Sequence, residues 1–492
     1  MRILHYYLGR HRQGGLNRYA KDLSTAQAKS GHDVFTLYPG GGILPRHQVR
    51  ILPKKTVEQV EYHELQGGVP VPLLEGICDP AIIIDHSKHL SAFELKRFCD
   101  HVRADVLHIH TLMGFPPELL DELKKRGTRV VFTTHDYFGL CPKVNFIDSE
   151  GNLCSAPDNK KCSLCNSNAP NAGFLALRNW SLLFRVSLKT GNLAKNCISH
   201  SYARPCAHLV NFMLAGCLQN RASKLRICNF VTQGEFLEIP FKLKSLLTPL
   251  LRHRNRNQSR QKSIAVVTKD YLSLQDYYKT LLQKCDAIHF NSEVAEKVYR
   301  KFLPDLPGEV IPITHAGIVD RRKPRTVDAR KVRLGFIGSA APYKGLPILL
   351  QSFEQLRNEG VTNAILNIYG CVLRSNSDSI RFCGSFAPDD SEKAFAQIDL
   401  LIVPSVWSET FGFVVPEALS RGIPVLCADT VGAKILLDGD MVYHGECGLY
   451  TALRELLSSV QHLEEKSKNI CASLDFTPLS KHVKTMDLFY RK

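Results

Sequence analysis

The sequence predicts an α/β protein with strand, glycine turn and helix units in both halves of the chain, and three stretches carry that reading. Arg2 to Tyr7 reads as a strand, followed by the loop Gly9 to Gly15, a helical pattern from Leu16 to Lys29, and the turn and strand of Gly31 to Leu37. Arg333 to Gly338 reads as a second opening strand, with the loop Ser339 to Gly345 and the helix Leu346 to Asn358 after it. Leu400 to Val403 reads as a buried strand, Ser405 to Gly412 as a loop and Phe413 to Ser420 as the start of a helix. Strand, glycine turn and helix open a nucleotide-type βαβ unit, and ligands of open α/β sheets bind beyond the carboxyl ends of the strands.

The chain has 492 residues, enough for two or three domains with sizeable cores, and its 44% hydrophobic and 22% charged residues are those of an ordinary globular protein. The opening Met1 to Tyr7 is too short an apolar run for a secretory signal, and no stretch is long enough to span a bilayer, so the expected location is the cytoplasm. A net charge of +16 admits nucleic acid, an anionic membrane surface or a polyphosphate ligand. Sixteen cysteines in so long a chain without an export signal read as reduced thiols, with Cys78, Cys99, Cys371, Cys383 and Cys427 as small core filler.

In the first half the Gly14-Gly15 pair follows the first strand, where a backbone can come close to a phosphate or sugar. From Gly40 to about Leu90 five prolines break the pattern, which reads as irregular. Ala104 to His110 is a buried strand, Pro117 to Arg126 a helix, and Arg129 to Thr134 a strand ending at His135 and Asp136. His135 at that carboxyl end is a candidate sugar contact, or else a strand-end residue bonded to a neighbouring loop. His108 and His110 alternate with apolar neighbours and read as packed within the sheet rather than as metal ligands.

Cys141, Cys154, Cys162 and Cys165 fall in one loop-rich segment, 141–165, and four thiolates there suit a structural tetrahedral zinc. A redox pair or simple packing are the rival readings. Residues 174–274 read as an insertion or elaboration, with helical patterning around Phe174 to Leu193 and Ala207 to Leu218 and a basic tract from Leu250 to Lys262. That tract reads as a solvated face or loop, with peripheral contact of 241–262 at an anionic inner membrane face as the other reading. Lys284 to Ser292 is a strand and polar turn, Glu293 to Phe302 a helix, and Val310 to Ile313 the last strand of this half.

In the second half Lys344 sits on a glycine-bearing loop before a helix N-terminus, which suits a diphosphate because ammonium and free N–H groups aim at one anion. Glu409 and Glu417 flank the Phe411-Gly412-Phe413 turn, whose backbone leaves room for a ligand. Glu417 alone would be a cap or dipole partner; the pair points to a binding site. Ile380 to Ser385 is a short strand, Asp438-Gly439-Asp440 a turn, and Leu449 to Leu457 and Leu479 to Tyr490 are helices.

The run from Pro404 to Leu419 resembles the Glu-x7-Glu signature of retaining glycosyltransferases of family 4, which have the GT-B fold: two facing Rossmann-like domains with a central cleft. The resemblance implies that Glu409 approaches the donor sugar, that Glu417 grips the ribose of a nucleotide sugar, and that His135 faces the sugar from the other domain. It further implies a first glycine loop at Gly14 and Gly15, a phosphate-binding Lys344, and a base contact at Ser385. His135-Asp136-Tyr137, Cys141-Pro142 and the Cys-x-x-Cys are similar to a subset of the family with a cysteine loop on the acceptor side. Two departures stand out. Ser339 occupies the position where the family usually has Arg, and Ile435 that of a common acidic residue.

The implied division is an N-terminal acceptor-side domain over 1–318, a linker over 319–331, a nucleotide-sugar domain over 332–475, and a C-terminal helix over 476–492 that crosses back. The implied activity is retaining transfer from a UDP-, GDP- or ADP-sugar to a hydroxyl of a glycan or lipid-linked acceptor, by a front-face mechanism that requires no metal. His135, Lys344 and Glu409 are its catalytic candidates; Gly14, Gly15, Ser339, Lys344, Ser385, Glu409, Phe411, Gly412, Phe413 and Glu417 are its donor-binding ones. The competing readings are a GT-B sugar-nucleotide epimerase and a non-enzymatic nucleic-acid-binding protein. One short basic run without organised aromatic faces argues against nucleic acid as a partner.

Overall fold

The computed structural model describes residues 1–40, 49–69, 71–86, 90–171, 175, 267–372, 377–387, 390–473 and 477–492. Apart from Leu175, the helical patterns at 174–193 and 207–218 and the basic tract at 250–262 lie outside those residues.

Among the described residues, one sheet holds β1 (Arg2–Tyr6), β2 (Asp33–Pro39), β3 (Arg50–Val57), β4 (Val60–Gln66), β5 (Val106–Ile109), β6 (Arg129–Thr133), β7 (Ala287–Phe290) and β8 (Gly308–Val310), in the order β3-β4-β2-β1-β5-β6-β7-β8. Every neighbouring pair is parallel except β3 with β4. The second sheet holds β9 (Val332–Ile337), β10 (Ala364–Tyr369), β11 (Ile380–Gly384), β12 (Leu400–Val403), β13 (Val425–Ala428) and β14 (Val442–Tyr443), in the order β11-β10-β9-β12-β13-β14, all parallel. Parallel strands need crossovers, and helices supply them. Those of the first half are α1 (Gly15–Lys29), α2 (Pro80–His86), α3 (Ala92–Val102), α4 (Pro117–Lys125), α5 (Asn159–Cys165), α6 (Tyr271–Gln283) and α7 (Glu293–Phe302). The second half has α8 (Leu346–Asn358), α9 (Ser391–Phe395), α10 (Val414–Leu419), α11 (Gly445–Ser458), α12 (Val460–Ser473) and α13 (Leu479–Arg491). β5, β7, β12 and β13 are buried at every residue, as strands covered on both faces must be.

The irregular reading of residues 40–90 is corrected in part by the β3–β4 hairpin. Pro53 is tolerated because β3 is the sheet edge. The two turn residues, Glu58 and Gln59, take φ of 51° and 65°, so the turn lacks the Asn-Gly or Asp-Gly signal such hairpins usually carry. The last strand of the first half ends at Val310 rather than continuing to Ile313, since Pro312 has no N–H for a ladder. Cys99 and Cys427 are buried, but Cys383 is exposed on edge strand β11, so it is not core filler.

One hydrophobic core lies against the second sheet and continues through α13 onto the first. Val483, Met486, Phe489 and Tyr490 of α13 are buried in the same cluster as Ile3, Tyr19, Leu23, Val106 and Val131. Each large apolar side chain so buried stabilises the fold by about 1.5–3 kcal/mol. The segment 319–331 is tied down rather than loose: Arg322 donates to the Ile470 carbonyl (2.7 Å) and the Arg325 N–H to Ser467 Oγ (2.8 Å), both on α12. Asp438 and Asp440 both accept from Lys466 Nζ (3.0 and 2.8 Å), which gives that turn a structural job. Among the described residues, no helix is long and apolar enough to cross a membrane.

Candidate active site

β12 ends at Val403, and the chain loops from Pro404 to Phe413 before α10. Two glycines set this loop. Gly345 takes φ +78°, and a Cβ there would stand 1.6 Å from the Pro404 carbonyl oxygen, so only glycine lets the loop after β9 lie against the loop after β12. Val406 N–H then donates to the Tyr343 carbonyl (2.9 Å). Lys344, between them, donates from Nζ to Glu409 Oε1 (2.6 Å) and lies 5.6 Å from the Trp407 ring. The Ser405 hydroxyl donates to Glu409 Oε2. Gly412, at φ +95°, turns the chain; backbone bonds Glu409 N–H to Thr430 O (2.9 Å) and Gly432 N–H to Glu409 O (2.9 Å) anchor the loop on the segment after β13.

The opposite wall comes from the carboxyl ends of β6 and β7. Thr410 Oγ1 donates to the His135 carbonyl (2.8 Å), Tyr137 OH to the Ser408 carbonyl (2.7 Å), and Ser292 Oγ to the Thr410 carbonyl (2.5 Å). A cavity of about 280 Å³ lies between the walls. Of the predicted residues, Gly15, His135, Lys344, Glu409, Phe411, Gly412 and Phe413 line it. Gly14, Ser339, Ser385 and Glu417 do not; Ser339 and Ser385 are exposed just past the carboxyl ends of β9 and β11. Glu417 Oε1 instead accepts from Arg18 of α1 (2.7 Å) and from His315 Nε2 (3.0 Å), so this carboxylate is clasped from the first half.

Burial, with a smaller push from His289, lowers the His135 pKa to about 3, so the ring is neutral near pH 7. Burial raises its neighbour Asp136 to about 6, against the opposing pull of the Phe138 N–H.

Sequence reasoning missed Asn291 and Trp407. Asn291 lines the cavity with both amide atoms buried and without a hydrogen-bond partner among the described residues, and the Trp407 indole N–H is likewise unpaired. Unpaired buried polar atoms facing a cavity are suited to a ligand. The strand-end rule that selected His135 also selects Asn291, the first residue past β7.

The cysteine segment folds as a small hairpin, with the Cys154 N–H donating to the Phe146 carbonyl (2.7 Å), followed by α5, whose cap Asp158 accepts from the Lys161 N–H (2.7 Å). Burial first, then neighbouring Cys141, Cys154 and Cys165, push the Cys162 thiol up to about 12. A tetrahedral zinc with Zn–S near 2.3 Å needs sulfurs about 3.8 Å apart. Among the described residues no three of these sulfurs gather within 4.8 Å, so in this structure they stand wider than such a site.

Two α/β sheets, parallel except for edge strand β3, whose strand ends meet over one cleft define the GT-B fold. Residues 13–150 match the family model described as Glycosyltransferase Family 4, and residues 331–464 the one described as Glycosyl transferases group 1. Fold and matches together support a GT-B glycosyltransferase. Lipopolysaccharide 1,2-N-acetylglucosaminetransferase of Salmonella typhimurium (strain LT2) is 26% identical over 180 residues, covering 31% of this chain and 47% of that protein. The chain thus spans about half the length of this curated relative. Among solved structures, sucrose-phosphate synthase from Thermosynechococcus elongatus superposes with a TM-score of 0.55 at 12% identity, over 100% of this chain and 99% of its own. The catalytic domain of starch synthase IV from Arabidopsis thaliana, bound to ADP and acarbose, does so with a TM-score of 0.51 at 12% identity, over 99% and 98%. At such identities the likeness is one of fold.

Proposed function

We propose that this protein transfers a sugar from a nucleotide-sugar donor to an acceptor hydroxyl with retention of anomeric configuration, in polysaccharide or glycoconjugate assembly. The observation that carries the reading is the Lys344–Glu409 pair beside the Phe411–Phe413 turn, with His135 and Asn291 lining the same ligand-sized cavity. Such a pair is matched to a donor whose two ends differ in charge. The ammonium of Lys344 meets the diphosphate, while Glu409 and the turn backbone orient the neutral sugar.

In the reaction the bond from the anomeric carbon to the phosphate oxygen breaks with its electron pair leaving on the diphosphate, and the sugar becomes oxocarbenium-like. The acceptor oxygen bonds to the same face, and its proton passes to the departing phosphate oxygen. Lys344 stabilises the charge where it develops, the kind of term whose removal lowers kcat by about 10²–10³. With Ser339 in place of the usual Arg, Lys344 carries the larger share of that charge. Glu417 holds the ribose through Oε2, since Oε1 is already taken by Arg18 and His315.

The test is a binding and hydrolysis screen of UDP-, GDP- and ADP-sugars, with Glu417→Ala as control. The expected result is engagement of one nucleotide series by the wild type and its loss in the variant. Failure of all three series to bind would overturn the reading.

A further inference from the structure

Beneath the cleft, six histidines gather where β1, β5, β6 and β7 meet α13: His5, His108, His110, His135, His289 and His482. Ligand atoms of His5, His108 and His110 lie within 4.8 Å of one another, but their ring nitrogens are spent on hydrogen bonds. Those bonds form one continuous line. A neutral imidazole has one donor and one acceptor nitrogen, so a single fixed end determines every proton along it.

The fixed end is the Ile311 carbonyl, which only accepts. His289 Nε2 must therefore donate to it (2.7 Å), leaving Nδ1 to accept from the Thr133 hydroxyl (2.9 Å). With its proton spent, Thr133 Oγ1 accepts from His108 Nε2 (2.6 Å), and His108 Nδ1 accepts from Tyr490 OH (2.7 Å). The Tyr490 oxygen can then only accept from Gln27, so Gln27 turns its Nε2 to Tyr490 (3.2 Å) and its Oε1 to His5 Nε2 (2.7 Å). From there His5 Nδ1 accepts from His110 Nε2 (3.0 Å), and His110 Nδ1 accepts from His135 Nε2 (3.2 Å).

We propose that this relay, begun at Ile311 and relayed through Tyr490 and Gln27, locks His135 in its Nε2–H tautomer, so that the Nδ1 lone pair at the cavity accepts a hydrogen bond from a hydroxyl of the bound ligand. Gln27 and Tyr490 are then positioning residues, acting on the cleft through other side chains. A carboxylate or phosphate oxygen opposite Nδ1 would set lone pair against lone pair. The wall therefore selects a neutral, hydroxylated group, and identifying that group as the donor's sugar rests on the transferase reading. Burial keeps the line neutral: it lowers His5 and His289 to about 4 and His108 and His110 well below the usual histidine range.

The test reads the tautomer directly in the full chain without ligand. With histidine rings labelled in ¹⁵N, pyrrole-type and pyridine-type nitrogens are distinguishable, and the His135 signals are those lost in His135→Ala. A single neutral Nε2–H form is expected; an Nδ1–H form, an imidazolium or a mixture in the wild type overturns the proposal. Gln27→Leu keeps the side-chain shape and removes both polar atoms, and Tyr490→Phe removes one hydroxyl. Each is expected to leave His135 as a mixture of both tautomers. A pure Nε2–H form in either folded variant overturns the relay, and Tyr490→Phe decides if Gln27→Leu does not fold. Because no ligand is present, a wrong tautomer sinks this inference and leaves the transferase reading standing, whereas failure to bind any nucleotide sugar does the reverse.

Discussion

The two walls of the cleft are built from opposite electrostatics. The second-half wall carries full charges, Lys344 against Glu409 from two adjoining loops, with Ser405 of the second loop also donating to Glu409. The first-half wall carries neutral imidazoles held by a buried line of single hydrogen bonds. The difference teaches how one cavity can hold a molecule that is anionic at one end and merely polar at the other. Charge–charge contacts are strong and tolerant of direction, which suits a phosphate; a fixed donor or acceptor discriminates by orientation, which suits a hydroxyl.

That contrast can be broken at four places. Lys344→Ala removes the cation of the charged wall, and a fall of about 10²–10³ in kcat is expected in a transfer or donor-hydrolysis assay; a change within threefold would mean the charge is supplied elsewhere. Gly345→Ala puts a Cβ on the Pro404 carbonyl at positive φ. Urea unfolding should show a loss of about 1–3 kcal/mol or more, together with lost activity, because the loops can no longer touch.

The neutral wall should fail in acid. Unfolded histidines titrate near 6.5, while His5 and His289 titrate near 4 and His135 and His482 near 3 in the fold. Between these values the unfolded chain binds more protons, so stability is fully present above pH 6.5 and falls progressively toward pH 3. Asp136, raised to about 6, acts with the opposite sign over about pH 6 to 3.8, one group against several. Melting temperatures measured from pH 8 to pH 4 should decline below 6.5, and a flat profile would contradict the buried neutral cluster. The smallest effect on stability is expected for Asn291→Ala. Deleting two unpaired buried polar atoms should leave stability unchanged or raise it by up to about 1 kcal/mol, while KM for the donor or acceptor rises. Equal loss of stability and activity would mean that Asn291 serves the fold.

Much of the second half was legible because local signals agreed. The helix Leu346–Asn358 follows an obligatory glycine and the strand Leu400–Val403 is an unbroken apolar run, so pattern and structure coincide there. The β3–β4 hairpin was not legible, since its proline and its non-glycine turn are both permitted only by an edge position that local sequence does not reveal. Within the site, Lys344, Glu409 and His135 stood out by their place at strand ends. Arg18 and His315 did not, because their shared partner Glu417 is 399 and 102 residues away in the chain. The relay was the least visible part. Its histidines look like ordinary strand fillers until β1, β5 and β7 are set side by side.

Tyr490 has a bearing on how the protein is made. His108 and Gln27 leave the ribosome well before Tyr490, whose hydroxyl pairs with both and follows them by more than 380 residues. Until then Gln27 and His108 of the first half lack this partner, and the wall that faces the cleft is completed only after the whole second sheet has been synthesised.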